Sequence, residues 1–367
     1  VFWYPISIRL LSESYMDLLF NFLKVTALAG VGAFLLILVL TPFADRLRLI
    51  DRPDLRKNHA SPVPMVGGLA IYLILLAGFV LIAPPPKAGW FMFSVTFLLI
   101  IGLLDDAFGL GVKTRIGVQC FGAALMIFGA GLSIQSLGLG FVGDGSLGVI
   151  GICLTMFAVV GLTNGFNMVD GIDGLAAGHL LIGIASLAAI QLWIIGDVYQ
   201  MEWLSLLFSA VFAFWLVNMS LTPLKRVFLG DSGSLLLGFT MSCLLIYYTQ
   251  EPINLVEPIA ALWCVTLPVF DTVVVIARRL KNGFSPFRSD RNHLHHLLVD
   301  QGVRPSIALA LILVGSIIVN AAGIWVTYMV NPVIGLGCYC AAFLGFAYLM
   351  LHPEVERRIL LRAGLIH

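Results

Sequence analysis

Long apolar runs separated by short polar stretches set the pattern of this chain. Eleven can be delimited, at roughly 18–40, 64–82, 90–104, 116–132, 148–163, 176–195, 202–219, 233–248, 258–277, 306–327 and 333–351. Continuous apolar runs predict helices that cross a bilayer, because a spanning helix needs about 20 such residues. Several runs fall short of that length, so their boundaries are soft and ten spans would also fit. A membrane β-barrel would show alternating segments of about ten residues, and this pattern is absent. The predicted class is all-α, a polytopic integral membrane protein of about 11 transmembrane helices.

Composition agrees. Hydrophobic residues make up 60% of the 367 and charged ones 11%, against about 25% charged in an ordinary soluble domain. The formal net charge of +1 says nothing about nucleic acid, but there is no basic tract, and no nucleic-acid partner is expected. Six cysteines (120, 153, 243, 264, 338, 340) lie in apolar runs without metal-ligand spacing and read as small packing residues. The chain begins with Val, and its first twenty residues do not read as a cleavable signal peptide. No internal repeat or soluble domain is visible, so residues 1–367 read as one transmembrane domain.

Charge then orients the runs. Loops 41–63, 105–115, 164–175, 220–232 and 278–305, with the tail after 351, carry 18 of the 21 Lys and Arg residues. The opposite loops (83–89, 133–147, 196–201, 249–257, 328–332) carry only Lys87, and Arg9 and Lys24 lie near the N-terminus. Positive charge marks the cytoplasmic side, which places the C-terminus inside and the N-terminus outside.

The same loops hold the chemistry. In Asn164-Gly-Phe-Asn167-Met-Val-Asp170-Gly-Ile-Asp173-Gly-Leu, four polar residues recur every three positions, so a helix or tight turn would gather them near one face. Carboxylates beside apolar runs are costly unless paired, hydrated or metal-bound, which predicts a functional site; capping of adjacent helices is the plainer alternative. Asp105 and Asp106 end another run. Adjacent acids on a helix point about 100° apart, so one could face a metal and the other Lys113 or Arg115; a simple acidic helix end is again the alternative. In Phe228-Leu-Gly-Asp231-Ser-Gly-Ser, Asp231 could cap the next helix with Ser232 and Ser234, or form a metal and phosphate corner. Loop 278–305 holds Arg278, Arg279, Lys281, Arg288, Arg291, His293, His295 and His296. Arginine binds phosphate through paired hydrogen bonds. The His-x-His-His spacing could ligate zinc, yet no cysteine accompanies it, and some arginines simply follow the positive-inside rule. Oxygen ligands without thiolates favour Mg2+ or Mn2+. Acids for a divalent ion with basic groups for phosphate are the recurring parts of phosphoryl transfer, at a cytoplasmic-face site.

These motifs resemble the polyprenyl-phosphate N-acetylhexosamine-1-phosphate transferases. The resemblance runs from Asp51-Arg-Pro53 and Pro64-Met-Val-Gly-Gly68 through Asp105-Asp106, Asn167 to Gly174 and Phe228 to Asp231, ending at His293-Leu-His-His296. Leu294 interrupts the histidines, as in the N-acetylglucosamine branch; the muramoyl-pentapeptide branch, the alternative, has three in a row. The resemblance implies a single catalytic domain in the bacterial inner membrane, with UDP-N-acetylglucosamine as donor, undecaprenyl phosphate as acceptor, Mg2+ or Mn2+ as cofactor and UMP as product. It further implies tunicamycin sensitivity and a place at the first lipid-linked step of an O-antigen-type envelope polysaccharide. Oligomeric state stays open, a homodimer included.

Carried over by position, Asp231 resembles the main metal ligand and Asn167 a second contact to metal or diphosphate. Asp105 or Asp106 resembles the residue proposed as base toward the lipid phosphate. Asp170 and Asp173 resemble organisers of the site, acting through Lys113. Asn164, Arg279, Arg291, His293, His295 and His296 would bind the donor. Asp271, inside a span, reads as a supporting acid. Base catalysis has little to contribute, because the second pKa of a phosphate monoester is about 6. Two rivals are weaker. An intramembrane aspartyl protease needs Gly where Phe228 stands, and a proton-coupled transporter of an anionic solute should carry matching clusters in both halves.

Overall fold

The computed structural model describes residues 13–53, 61–139, 147–196, 198, 200–286 and 291–366, with side chains from Phe20 onward. Arg9, Arg288 and parts of loops 41–63, 133–147, 196–201 and 278–305 lie outside the described residues. Among those described there are fourteen helices and one two-stranded antiparallel sheet, β1 (Ile50–Asp51) with β2 (Val63–Pro64). The chain is a multi-pass membrane protein: eight helices are long and apolar enough to span a bilayer.

The predicted runs all become helix, with instructive differences. Helices α1 (Glu13–Leu40), α5 (Gly148–Val169), α6 (Leu175–Ala189), α7 (Met201–Asn218), α8 (Gly230–Thr249), α12 (Pro305–Met329) and α13 (Pro332–Leu351) follow seven of them. The run 64–82 gives only the 15-residue α2 (Gly67–Leu81). Helices α4 (Val112–Ala124) and α6 each run on as a π-helical segment, at Leu125–Gly129 and Ile190–Ile195. The run 258–277 breaks into α9 (Pro258–Trp263) and α10 (Thr266–Lys281). Pro268 causes the break: it has no N–H for the Cys264 carbonyl, and its ring would collide with that group. Helix α3 (Ala88–Phe108) and α5 outlast their apolar runs, so Asp105, Asp106, Asn164 and Asn167 stand on helices rather than in loops. Two short helices follow the polar segments, α11 (Leu294–Asp300) and α14 (Pro353–Arg362).

Helix α8 is the pillar. Sixteen of its residues are buried, and its neighbours approach on glycine. A methyl group on Gly68 of α2 would lie 2.4 Å from the Gly233 Cα, and one on Gly102 of α3 would lie 2.5 Å from the Ser232 Cα. On α8 itself, a methyl at Gly238 would lie 2.7 Å from the Thr163 Cα of α5. Lipid tails are as apolar as leucine, so membrane helices associate through such close packing rather than by leaving water. Around this centre α1 packs on α7 and α12 on α6 and α13.

The bundle has two distinct ends. At one, the Gln135 and Ser136 amides donate to Gln250 Oε1 (2.7 and 3.0 Å), Trp203 Nε1 donates to the Ala83 carbonyl (3.2 Å) and the Glu257 amide donates to the Tyr328 hydroxyl (3.1 Å). The predicted outer loops therefore bond to one another. The motif residues meet at the opposite end.

Candidate active site

Backbone pairing joins two of the motifs. The Phe228 amide donates to the Pro64 carbonyl (2.8 Å), while Gly67 and Gly68 donate to the carbonyls of Phe228 and Leu229 (3.0 and 3.2 Å). This clamps Pro64 to Gly68 against Phe228 to Asp231 and fixes where α8 begins. The helix start is then capped from a different helix. Asp106 accepts from the Asp231 amide (2.7 Å), the Ser232 amide (3.1 Å) and the Ser232 hydroxyl (2.6 Å). Gly230 permits this approach: its φ is +76°, and a Cβ there would lie 2.6 Å from Asp106 Oδ2. Asp231 makes no side-chain cap, so the capping expectation for it is corrected in favour of Asp106. The phosphate corner expected at this N-terminus is filled by the same carboxylate.

With its own backbone held, the Asp231 side chain faces the cleft. Asn167 Nδ2 donates to Asp231 Oδ1 (2.8 Å) and to the Ser234 hydroxyl (2.8 Å). Arg115 Nη1 donates to Asp231 Oδ2 (2.9 Å), and its Nε lies 3.2 Å from Asp105 Oδ2, a charge contact off the hydrogen-bond line. Asp105, buried, also accepts from the Leu110 amide (2.6 Å). Of the two basic partners expected for the acidic pair, Arg115 is the one used; Lys113 is exposed and has no partner among the described residues.

The four residues spaced by three do not share a face. Each step of three on an α-helix turns the side chain by about 60°, and the helix stops at Val169. Asn164 exchanges hydrogen bonds with Gln119 of α4, a turn deeper than the cleft, so its amide is not presented to a substrate. Asp173 pairs with Arg226 (2.7 Å), not Lys113, and Arg226 also lies over the Phe228 ring at 5.1 Å. The turn itself is pinned by two residues that the motifs did not include. Asn218 accepts from the Gly174 amide (2.6 Å) and donates to the Val227 carbonyl (2.9 Å), and Trp215 Nε1 donates to the Gly174 carbonyl (3.0 Å). An amide closing an apolar helix was the only sequence signal for Asn218.

Asp170 caps α5 and opens onto the cleft. Enclosure by surrounding protein, then the charges of Asp231, Asp173 and Asp106, push its carboxyl up to about 8. Its surface is exposed, so the enclosure is that of a cleft wall rather than a sealed core. The cleft thus carries more negative charge than Arg115 and Arg226 neutralise. No three His, Cys, Asp or Glu side chains among the described residues converge as a metal cage. That does not disfavour Mg2+, which keeps several waters and takes one or two carboxylates plus substrate phosphate. Asp231 is half-exposed, and Asn167, whose NH2 group is used, keeps Oδ1 for a ligand. The donor set fits a hard divalent ion.

Against the Asp170–Asp173 turn stands the histidine segment. Asp271, buried in α10, accepts from His293 Nδ1 (2.7 Å) and from the Leu294 amide (2.9 Å), so the supporting acid holds the start of α11. Arg279 is buried, donates to the Pro286 carbonyl (2.6 Å) and lies 3.4 Å from His293 Nε2. Arg291 pairs with Asp300 (3.0 Å) on the surface. Arg279, His293 and His295 are buried, against the expectation that all three contact donor, because the segment needs its own polar interior to hold its shape. His296 is half-buried; burial, followed by Arg291 and His293, lowers its basicity. The rings of His295 and His296 lie 4.2 Å apart.

A multi-pass helical bundle with acids, an amide and arginines converging at one end has the parts of a membrane-embedded phosphoryl-transfer site. The sequence pattern of glycosyl transferase family 4 matches residues 89–249, which hold every aspartate of the cleft. The chain is 35% identical over 311 residues to the undecaprenyl-phosphate alpha-N-acetylglucosaminyl 1-phosphate transferase of Escherichia coli O157:H7, covering 83% of this chain and 84% of that one. Enzymes of the same name from Yersinia pestis (33%; 83% and 85% covered) and Haemophilus influenzae (34%; 80% and 84% covered) are similar over the same extent. The chain belongs to glycosyl transferase family 4.

Proposed function

We propose that this protein transfers N-acetylglucosamine 1-phosphate from UDP-N-acetylglucosamine to undecaprenyl phosphate, at the cytoplasmic face of a bacterial inner membrane. An oxygen of the lipid phosphate attacks the phosphorus that bears the sugar, the bond to the bridging oxygen breaks, and UMP leaves with that oxygen. The observation that carries this reading is the convergence of Asp231, Asn167, Arg115 and Asp170 opposite the histidine segment, at the basic end of an apolar bundle. Both names and geometry point one way, since the relatives above share this extent of sequence.

The reacting partners are anionic, so the site must gather negative charge more than it must remove a proton. Asp231 and Asn167 would hold Mg2+ or Mn2+, which when bound neutralises charge on the diphosphate. Arg115 and Arg226 offset part of the aspartates' negative charge. Asp106, with both oxygens engaged, positions α8 and is not the base; Asp105 holds Arg115. His296 and Arg291, nearer the surface, are the donor contacts of the histidine segment.

The test follows UMP release from purified protein supplied with UDP-N-acetylglucosamine, undecaprenyl phosphate and magnesium. Release should require the lipid, stop with EDTA and be lost in Asp231→Asn. Turnover that survives EDTA or that substitution would refute the metal assignment. Well-folded protein inactive with this donor but active with another UDP-sugar would refute the donor.

A further inference from the structure

His295 is wholly buried, and it meets the Asp motif at one point. A Cβ built on Gly171 would lie 2.0 Å from His295 Nε2 and 2.8–2.9 Å from the two ring carbons beside it. The imidazole edge therefore rests on the bare backbone between Asp170 and Ile172. Gly171 is not in a left-handed conformation, so glycine is required here for space alone. Nε2 has no hydrogen-bond partner. Its neighbours are the rings of His293, stacked at 5.9 Å, and His296. Groups facing it are His293, His296, His179 of α6 and Arg291, and burial followed by these charges holds the ring well below the usual histidine range. With its Nε2 edge packed on the Gly171 backbone, the ring presents no open edge there to a phosphate.

We infer that His295 is a positioning residue: a wedge that sets the distance between the histidine segment and the Asp170–Asp173 turn by packing on Gly171. Because Asp271 fixes His293 and the wedge fixes His295, the first turn of α11 is held at two points. His296 is then presented to the cleft at a set depth. This deepens the transferase reading, since it assigns the adjustment of donor binding to a contact rather than to a charge.

A size-complementation cycle tests it. Gly171→Ala should lower the thermal midpoint and raise the donor KM more than it lowers kcat. Adding His295→Ala should restore both relative to Gly171→Ala alone, donor KM by about tenfold, because groups in contact couple. His295→Leu, which keeps bulk without nitrogen, should retain more activity than His295→Ala. Simple additivity of the two alanine changes in both readouts would overturn the wedge, as would equal loss in His295→Leu and His295→Ala. The thermal arm needs no turnover, so failure of the contact is distinguishable from failure of the proposed reaction.

Discussion

Asp106 places three hydrogen bonds on the start of a helix to which it does not belong. Helix caps contribute about 1 kcal/mol, within a range of roughly 0.5–2, so Asp106→Ala should lower the thermal midpoint in detergent. Asp106→Asn, which keeps an acceptor oxygen, should lower it less. Asp231→Asn should leave that midpoint nearly unchanged while turnover disappears, a separation that two acids in one catalytic role would not show. Asp170 gives a pH test. Its raised pKa means that the fold favours the protonated form. That contribution to stability is complete below the ordinary value near 3.8 and is lost as pH rises through about 8. Metal-free protein should therefore lose thermal midpoint between these limits, and Asp170→Asn should flatten the slope. An equal slope in the variant would assign the titration to another group.

Helix by helix, the site depends on how closely backbones approach. Gly102 lets α3 reach the first turn of α8, so the cap from Asp106 follows from a missing side chain one turn earlier. Gly102→Ala would press a methyl on the Ser232 backbone, which has no rotamer to yield, and overpacking costs about 1–3 kcal/mol. Activity should fall with stability. Gly161, on α5 with nothing within 4 Å of an added Cβ, is the control: its change to Ala should be near neutral on thermal midpoint and UMP release. The apolar runs foretold the helices because a bilayer demands them. They misplaced the ends of α3 and α5, since a helix leaving the membrane continues while its polar side chains find partners, as Asn164 does in Gln119. Periodicity of three suggested a shared face for Asn164, Asn167, Asp170 and Asp173. The helix drift and the turn at 170–174 sent Asn164 to Gln119, Asn167 to Asp231 and Asp173 to Arg226, and left Asp170 exposed.

For the whole molecule, sidedness is the open quantity with a direct test. In a background without the six native cysteines, Lys87→Cys should react with a membrane-impermeant thiol reagent in intact cells, and Lys113→Cys only in inverted vesicles. The reverse would move the proposed site to the outer face. The sequence alone determined that the chain is a helical membrane protein, because apolar length and excluded charge leave few other folds. It also determined that the aspartates, arginines and histidines collect at one end, because loops alternate between sides. Only the tertiary structure decided which acid does what. Asp231 faces the cleft, Asp106 holds a helix, Asp105 holds Arg115 and Asp271 holds His293. A carboxylate's role is set by the donors that reach it. Those donors come from residues up to 126 positions away in sequence, as Asp106 and Ser232 show.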